Sequence, residues 1–237
     1  MGGVVGGRDR ELSGAGRAGG RLTMADAAMK MAELSARSGV AVATIKFYQR
    51  ENLLPPGVRT GPNQALYGDA HLGRIRLILG LTEVGGLTVA AARRVLEAID
   101  SELPLPETFE IAQHAVSEAV DPTTVTADAL AHVDALMAGW HVSDDNPGRL
   151  AAARVFDTFT GIGQIDAAGW FRRYAAAALV AAEADIDELD ARIERAAKAE
   201  IVVVGTALGD TLFSGLRRAA QEHLSSLRYS APPAPEL

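Results

Sequence analysis

The chain has 237 residues, no cysteine and a formal net charge of −7. Its length allows one or two domains with a buried core. The lack of cysteine excludes disulfides and thiolate metal or redox sites, and it fits a reducing cytoplasm. The overall acidity, taken alone, argues against nucleic acid as a partner.

The charge is divided unevenly along the chain. Residues 30–100 contain nine Lys/Arg and six Asp/Glu, whereas residues 101–237 contain ten Lys/Arg and twenty-one Asp/Glu. A surface that binds phosphates therefore belongs to the first of these segments, because the second would repel them.

Residues 1–28 begin with a glycine-rich stretch that has scattered arginines and no periodic apolar pattern. Such a segment cannot bury enough apolar surface to offset its ordering entropy, and it is predicted to form a flexible tail. The proline-rich end at 230–237 is predicted to be flexible as well.

Two short helices are predicted next, at Met31–Ser38 and at about 41–52. Gly39 between them suits a tight turn with positive φ, and Pro55 and Pro56 end the second helix. The second helix can bury Val42 and Ile45 while its polar side chains face outward, as in a helix that enters the DNA major groove. An ordinary helical hairpin with a solvated charged face is the alternative.

Residues 57–68 have the turn residues of a small β-hairpin, or wing. A helix is predicted to begin at Asp69 and to end at Gly85-Gly86, and Thr88 is a good N-cap for the helix after it. In that helix an apolar stripe at helical spacing predicts a face lying on a core; it comprises Ala92, Val95, Leu96 and Ile99.

The segment ATIKFYQRENLLPP, followed by Tyr67 and HLGRIRLI, resembles the MerR family of winged-helix transcription regulators. The resemblance covers about residues 29–100. It implies DNA contacts at positions in the recognition helix, the wing and the following helix; these are Thr44, Lys46, Phe47, Tyr48, Arg50, Arg59, Asn63, Gln64, Tyr67 and Arg74.

Three positions depart from the family pattern. Lys46 stands where arginine is usual and lacks its bidentate fork, Phe47 replaces a frequent tyrosine, and Ala65 replaces a wing arginine. Two implied contacts have structural alternatives: Tyr67 as a packing residue under the wing, and Arg50 as an ion-pair partner of Glu51 or Glu97.

Pro104 and Pro106 are predicted to close a winged helix-turn-helix domain at 29–103, followed by an all-helical domain at 107–229. The fold class is thus mostly α with a small β wing. The family's long antiparallel coiled-coil helix should begin near these prolines, which interrupt it. A homodimer is implied by the resemblance, through a surface that the sequence does not assign.

Most aromatic side chains of the second segment are close together in the sequence. They suggest an effector pocket for a small apolar or aromatic molecule, with ordinary core packing as the alternative. The residues of this hypothesis are Trp140, Phe156, Phe159, Trp170 and Tyr174. Gly205 and Gly209 would permit close helix packing, either within the chain or between two chains.

The sequence shows no nucleophile–base arrangement and no metal-ligand spacing, so neither catalysis nor a cofactor is expected. The longest apolar run, Ile201–Gly209, is too short to span a bilayer. The resemblance implies a cytoplasmic, dimeric regulator that binds operator or promoter DNA and acts with RNA polymerase as activator or repressor, and we expect its helical domain to dimerise and to sense an effector. The alternative is a helical domain that serves only ligand-independent protein interaction or assembly.

Overall fold

The computed structural model of the chain describes residues 28–62, 64–117 and 120–229. Apart from Ala28, the two predicted tails lie outside these residues. The predicted mostly helical fold with a small β wing is confirmed. The elements are α1 (Met31–Ser38), α2 (Val42–Arg50), β1 (Val58–Gly61), β2 (Gln64–Leu66), α3 (Asp69–Leu79), α4 (Val89–Asp100), α5 (Leu105–Val116), α6 (Ala127–Leu136), α7 (Pro147–Gly161), α8 (Trp170–Asp190) and α9 (Arg195–Tyr229).

Helices α1 and α2 form the predicted helix-turn-helix. Gly39 has a φ of 73° at the turn between them, a left-handed conformation that glycine adopts without a steric cost. Helix α2 ends two residues before the predicted end because Asn52 also turns left-handed, with a φ of 58°. Asparagine is the commonest substitute for glycine in this role.

The wing is a two-stranded antiparallel sheet in which Val58 pairs with Leu66. It is joined to the start of α1 by a bridge between Met29 and Tyr67, with backbone N–O distances of 2.8 and 2.9 Å. The wing is therefore held beside the helix-turn-helix by main-chain hydrogen bonds.

Helix α3 continues into a single wider π-helical turn at Gly80–Val84, which was not predicted. Helix α4 begins as predicted, since the Thr88 side chain accepts a hydrogen bond from the Ala91 amide at 3.2 Å. The predicted apolar stripe of α4 is buried, from Ala92 to Ile99.

The C-terminal helix returns to the winged region. Val202, Val203 and Ala207 in the first half of α9 belong to the same buried cluster as α1–α4. Gly85 permits this contact, because a Cβ there would lie 2.8 Å from the Leu81 carbonyl oxygen and 3.2 Å from the Ala207 Cβ. The core thus contains residues from both sides of the predicted boundary between 29–103 and 107–229. The division into two domains stays a prediction.

Helix α5 packs between α4 and α9 of its own chain. Pro104 is its N-cap and Pro106 lies in its first turn, so the two prolines start a helix where a break was expected. The helix has only 12 residues, and the long coiled-coil helix of the resemblance is not formed at this place.

A second, smaller core joins α6 to α7. It contains Val125, Ala129, Val133 and Ala153. Polar contacts reinforce it: Arg149 Nε and Nη2 donate to the two carboxylate oxygens of Asp134 at 2.7 and 2.8 Å. Asp166 caps the first turn of α8 by accepting hydrogen bonds from the amides of Trp170 and Phe171.

Candidate nucleic-acid interface

Helix α2 presents one exposed face and one buried face. Ile45 and Tyr48 point into the core, whereas Ala43, Lys46 and Arg50 are exposed. The exposed residues are three and four positions apart, so they lie on one side of the helix. A short helix with a cationic outer face and a small residue is suited to a DNA major groove.

A cleft of about 470 Å³ lies between the start of α1, helix α2 and the wing. Three cationic side chains line it: Lys30 from the start of α1, Lys46 from α2 and Arg59 from β1. Gln64 of β2 lines it as well. Cations converging on an open cleft form a surface that a phosphate backbone can approach.

The positive charge of this cleft is not neutralised by the part of the chain that the structure describes. Within that part, no carboxylate lies within 4.0 Å of a cationic nitrogen of Lys30, Lys46 or Arg59. Such unpaired cations can exchange small counterions for phosphates, which is the main source of non-specific affinity for DNA.

Lys30 was missed by the sequence analysis. It reaches the cleft because the Met29–Tyr67 bridge brings the start of α1 against the wing. No local signal in the sequence shows this pairing, since the two bridged residues are 38 positions apart in the sequence.

The predicted contact Tyr48 is a core side chain that is only 8% exposed. Burial raises the pKa of its phenol, with a smaller contribution from the charge of Glu83. Its spacing of three from the buried Ile45 is the signal that places it on the inner face. Tyr48 therefore packs on the buried side of α2 and supports the helix there.

Tyr67 is also buried, at 5% exposure. Its ring packs edge-on against His71, with ring centroids 5.2 Å apart. Gly57 lies so close that a Cβ there would be 2.8 Å from a Tyr67 ring carbon. The side chain thus lies under the wing, which is the alternative that the sequence left open.

Arg74 is turned toward the protein. Its Nε donates to the Leu53 carbonyl oxygen at 3.0 Å, and its guanidinium pairs with both carboxylate oxygens of Asp100 at 3.1 and 2.6 Å. These bonds connect α3 to the end of α2 and to α4. The donors expected to reach DNA are used inside the winged region.

Two further predicted contacts of α2, Thr44 and Phe47, lie beside its exposed face. Phe47 and Thr44 are half-buried, and the Arg50 guanidinium carbon lies 5.9 Å from the centre of the Phe47 ring. Glu51, one of the suggested partners of Arg50, lies 4.0 Å from Arg93 instead. Asn63 lies outside the described residues.

Four of the five aromatic residues of the effector hypothesis are joined by ring contacts. Phe159 stacks on Trp170 at 5.4 Å between centroids, Trp170 contacts Tyr174 at 4.8 Å, and Phe156 joins the cluster through Phe171. Within the described residues, the Trp140 ring makes no such contact.

Beside this cluster lies an open groove of about 550 Å³. Its walls are mainly apolar and come from α5, α7 and the segment before α6, with Phe159 contributed by the aromatic cluster. Arg154 and Asp210 supply one charge of each sign, and burial raises the pKa of Asp210. The groove can accept a small molecule that is largely apolar and has a polar group.

No group of three or more His, Asp or Glu side chains suited to a metal ion occurs in residues 28–62, 64–117 and 120–229. Helix α9 is long and apolar enough to cross a membrane by length and composition. A core helix passes the same test, and the first half of α9 lies in the core.

The family model described as MerR HTH family regulatory protein matches residues 29–99. The HTH-type transcriptional regulator ZntR homolog of Haemophilus influenzae is 38% identical over 50 residues, which are 21% of this chain and 37% of that protein. The crystal structure of SCO5550 from Streptomyces coelicolor A3(2), described as a transcriptional regulator, has 31% identity and a TM-score of 0.65, covering 87% of this chain and all of that one.

Proposed function

The chain belongs to the MerR family of helix-turn-helix regulatory proteins, and we propose that it regulates transcription by binding specific operator DNA within a promoter as a homodimer. It works in the cytoplasm and has no catalytic role in this proposal. The observation that carries the proposal is the cationic cleft beside the exposed face of α2, lined by Lys30, Lys46 and Arg59.

The two parts of this surface have different tasks. The exposed face of α2, with Lys46 and Arg50, enters the major groove and reads base edges. Lys30 and Arg59 hold the flanking phosphates, and Gln64 and Asn63 of the wing join them. Tyr48, Tyr67 and Arg74 do not contact DNA in this proposal. They pack beneath the surface and support the backbone that carries these side chains.

The test is salt-dependent binding of the full-length protein to the DNA upstream of its own coding sequence. Lys46→Ala should weaken binding and abolish the preference for that DNA over a random duplex. Lys30→Ala should weaken binding to both duplexes, and it should reduce the slope of log K against log salt by about 1, since one phosphate contact is lost.

Arg173→Ala is the matched control, because Arg173 is an exposed arginine on α8, away from the cleft. It should bind both duplexes as the wild type does. Equal binding by wild type and Lys46→Ala at every salt concentration would refute the assignment of α2 as the reading helix.

At the promoter, we propose that the dimer distorts the DNA so that RNA polymerase engages it differently. Bending or untwisting costs energy, which additional phosphate contacts repay. Lys30 and Arg59 supply such contacts beside the groove-reading helix. Transcription in vitro with purified polymerase would distinguish activation from repression.

We propose further that the groove beside Phe159 binds a small apolar or aromatic effector. The apolar walls of the groove favour this proposal, as do the one cationic and the one acidic side chain that line it, Arg154 and Asp210. The competing function for the same helices is ligand-independent assembly with another protein.

A thermal-shift screen with hydrophobic metabolites and drugs separates the two, because a ligand of the native state raises the melting temperature. Val155→Trp would fill the groove and should abolish the shift. Val180→Trp, an exposed valine on α8, should leave it unchanged. A screen in which no compound shifts the wild type would favour assembly.

A further inference from the structure

One turn of α9, from Ala207 to Thr211, contacts two different parts of the protein. The Thr211 hydroxyl donates to the Val84 carbonyl oxygen at 3.2 Å. Ala207 lies so close to Gly85 that a Cβ at Gly85 would be 3.2 Å from the Ala207 Cβ. Between these two contacts, Asp210 lines the groove of about 550 Å³. This turn, which we call the α9 joint, therefore connects the groove to the winged region.

We propose that the α9 joint positions the reading helix α2 through the π-helical turn at Gly80–Val84, so that occupation of the groove changes the preference of the protein for its DNA. This inference rests on the proposed function, to which it adds the regulation of the DNA-binding surface by the groove. Three connections carry it: from the joint to the π-helical turn, from that turn to the buried side of α2, and from there to the exposed face of α2.

The first connection joins α9 to the end of the π-helical turn. The last carbonyl groups of a helix have no partner within the helix, and the Thr211 hydroxyl supplies one to Val84. Gly85, the next residue, has no space for a side chain, because a Cβ there would lie 2.8 Å from the Leu81 carbonyl oxygen and 3.3 Å from that of Ala207. A displacement of the α9 joint must therefore move the π-helical turn, since closely packed groups transmit small shifts.

The second connection joins the π-helical turn to the buried side of α2. Leu81 in the turn is 1% exposed and belongs to the same buried cluster as Tyr48. The charge of Glu83 contributes to the raised pKa of the Tyr48 phenol, so the turn also acts on this side chain electrostatically. The Tyr48 carbonyl oxygen accepts hydrogen bonds from the amides of Leu53 and Leu54 at 2.9 and 3.2 Å. Tyr48 thus links the turn to the end of α2.

The third connection is helix α2 itself. Lys46 and Arg50 are each two residues from Tyr48, on the exposed side of the helix. A shift of Tyr48 therefore moves the side chains proposed to read base edges. The phosphate contacts proposed for Lys30 and Arg59 come from other elements, and phosphate contacts carry no sequence information directly. A displaced joint should accordingly change the preference between DNA sequences and leave the salt dependence of binding as it is.

Two variants of the full-length protein test the joint, in binding to the upstream DNA and to a random duplex over a range of salt concentrations. Gly85→Ala forces the π-helical turn away from α9. It should lower the preference for the upstream DNA about tenfold and keep the slope of log K against log salt, because no phosphate contact is lost. Thr211→Val removes one hydrogen bond and should lower the preference roughly threefold. It keeps the test decisive if circular dichroism shows that Gly85→Ala does not fold.

Each variant has a matched control on α9. Gly205→Ala adds a methyl group where a Cβ would meet nothing within 4 Å. Thr206→Val removes a hydroxyl that donates to the Val202 carbonyl oxygen of its own helix at 2.8 Å. Both controls should keep the wild-type preference. A wild-type preference in Thr211→Val and in folded Gly85→Ala would overturn the proposal.

A double-variant cycle tests whether the groove acts through the joint. Val155→Trp fills the groove and should change the DNA preference roughly threefold or more in the wild-type background, but not in the Thr211→Val background, because coupled sites are not additive. Val180→Trp, at an exposed position of α8, should have no effect in either background. The proposal would be overturned if Val155→Trp had no effect. It would also be overturned by the same effect in both backgrounds, which would assign the transmission to α5, another wall of the groove.

Amide hydrogen exchange of the free protein keeps this inference separate from the proposed function. Gly85→Ala and Thr211→Val should speed the exchange of the Leu53 amide, whose acceptor is the Tyr48 carbonyl oxygen, while α6 and α7 keep their protection. If this occurs in a protein that binds no DNA, the positioning of α2 by the joint stands and the proposed function fails. If the wild type prefers the upstream DNA and the variants change neither the preference nor the exchange, the function stands and this inference is wrong.

Discussion

Helix α4 buries six side chains along its 12 residues, whereas α8 buries two along 21. The two cores also differ in the number of buried side chains. Among the described residues, the core shared by the winged region and α9 gathers 23 buried side chains, and the core between α6 and α7 gathers four. Apolar burial therefore determines the shape of the first region much more than that of the second.

In the region of α6–α8, directional polar contacts compensate in part for the smaller number of buried side chains. Asp157 accepts hydrogen bonds from the Thr126 amide and hydroxyl at 2.9 and 2.6 Å, and Asp134 holds Arg149. Such contacts fix an orientation but contribute little net stability when exposed. The comparison predicts that α6–α8 open locally at a lower free-energy cost than the winged region does.

The largest expected effect comes from the first core. Leu96→Ala removes a fully buried side chain and should lower the free energy of unfolding by about 2–5 kcal/mol. Urea denaturation followed by circular dichroism measures the loss. The difference in burial between the two cores would be contradicted if Leu96→Ala lowered the free energy of unfolding less than a substitution in the core between α6 and α7 does.

Arg74→Met should have the next largest effect. It removes the donor to the Leu53 carbonyl oxygen and the bidentate partner of Asp100, which costs about 1–3 kcal/mol. Arg76→Met, at an exposed position of the same helix, is the control and should stay within about 0.5 kcal/mol of the wild type. If Arg74→Met and Arg76→Met lowered the free energy of unfolding equally in the same urea assay, the hydrogen bonds of Arg74 would have no special role in stability.

Val133→Ala tests the small core. It removes two methyl groups from a buried side chain, which should cost about 1.5 kcal/mol. Amide hydrogen exchange should become faster in α6 and α7 while α3 and α4 keep their protection. Faster exchange throughout the chain would show that the two cores unfold together.

The smallest expected effect is a pH dependence. The hydrogen bond from Arg149 holds the pKa of Asp134 below its usual range. The carboxylate thus stabilises the fold above its unfolded pKa of about 3.9, and this stability is lost as the pH falls through the folded pKa. Asp134→Asn should melt below the wild type at pH 7, and the difference should shrink toward pH 3.

Asp185→Asn is the control of opposite sign. Burial, with a smaller contribution from the charge of Asp210, raises the pKa of Asp185. Its ionisation therefore costs stability as the pH rises through the folded pKa. The variant should melt slightly above the wild type at pH 7, and a lower melting temperature would contradict the raised pKa of Asp185.

Much of the fold could be predicted from local patterns. The glycine turn after α1, the Thr88 cap and the buried stripe of α4 follow from spacing and capping rules. The π-helical turn has no periodic signal in the sequence, and Gly85 after it packs against Ala207, more than 120 residues away.

The candidate DNA interface was also predictable only where local patterns determine it. Lys46 and Arg59 are exposed in the cleft, and their positions follow from the helix and wing patterns. Arg74 turns inward because Asp100, 26 residues later, offers it a bidentate partner. Lys30 enters the cleft through a bridge formed by Tyr67. Pairings between distant segments leave no periodic signal in a single sequence.

The return of α9 to the winged region also determines when the protein can finish folding. Val202 and Val203 complete a core that begins at Met29, so the ribosome must make about 170 more residues before that core closes. At roughly 5–20 residues per second this takes on the order of 10–30 s. Helix α4 is complete for about the last 100 of these residues, and the part of its apolar face that packs against α9 stays uncovered for that time, so chaperones can bind the nascent chain there.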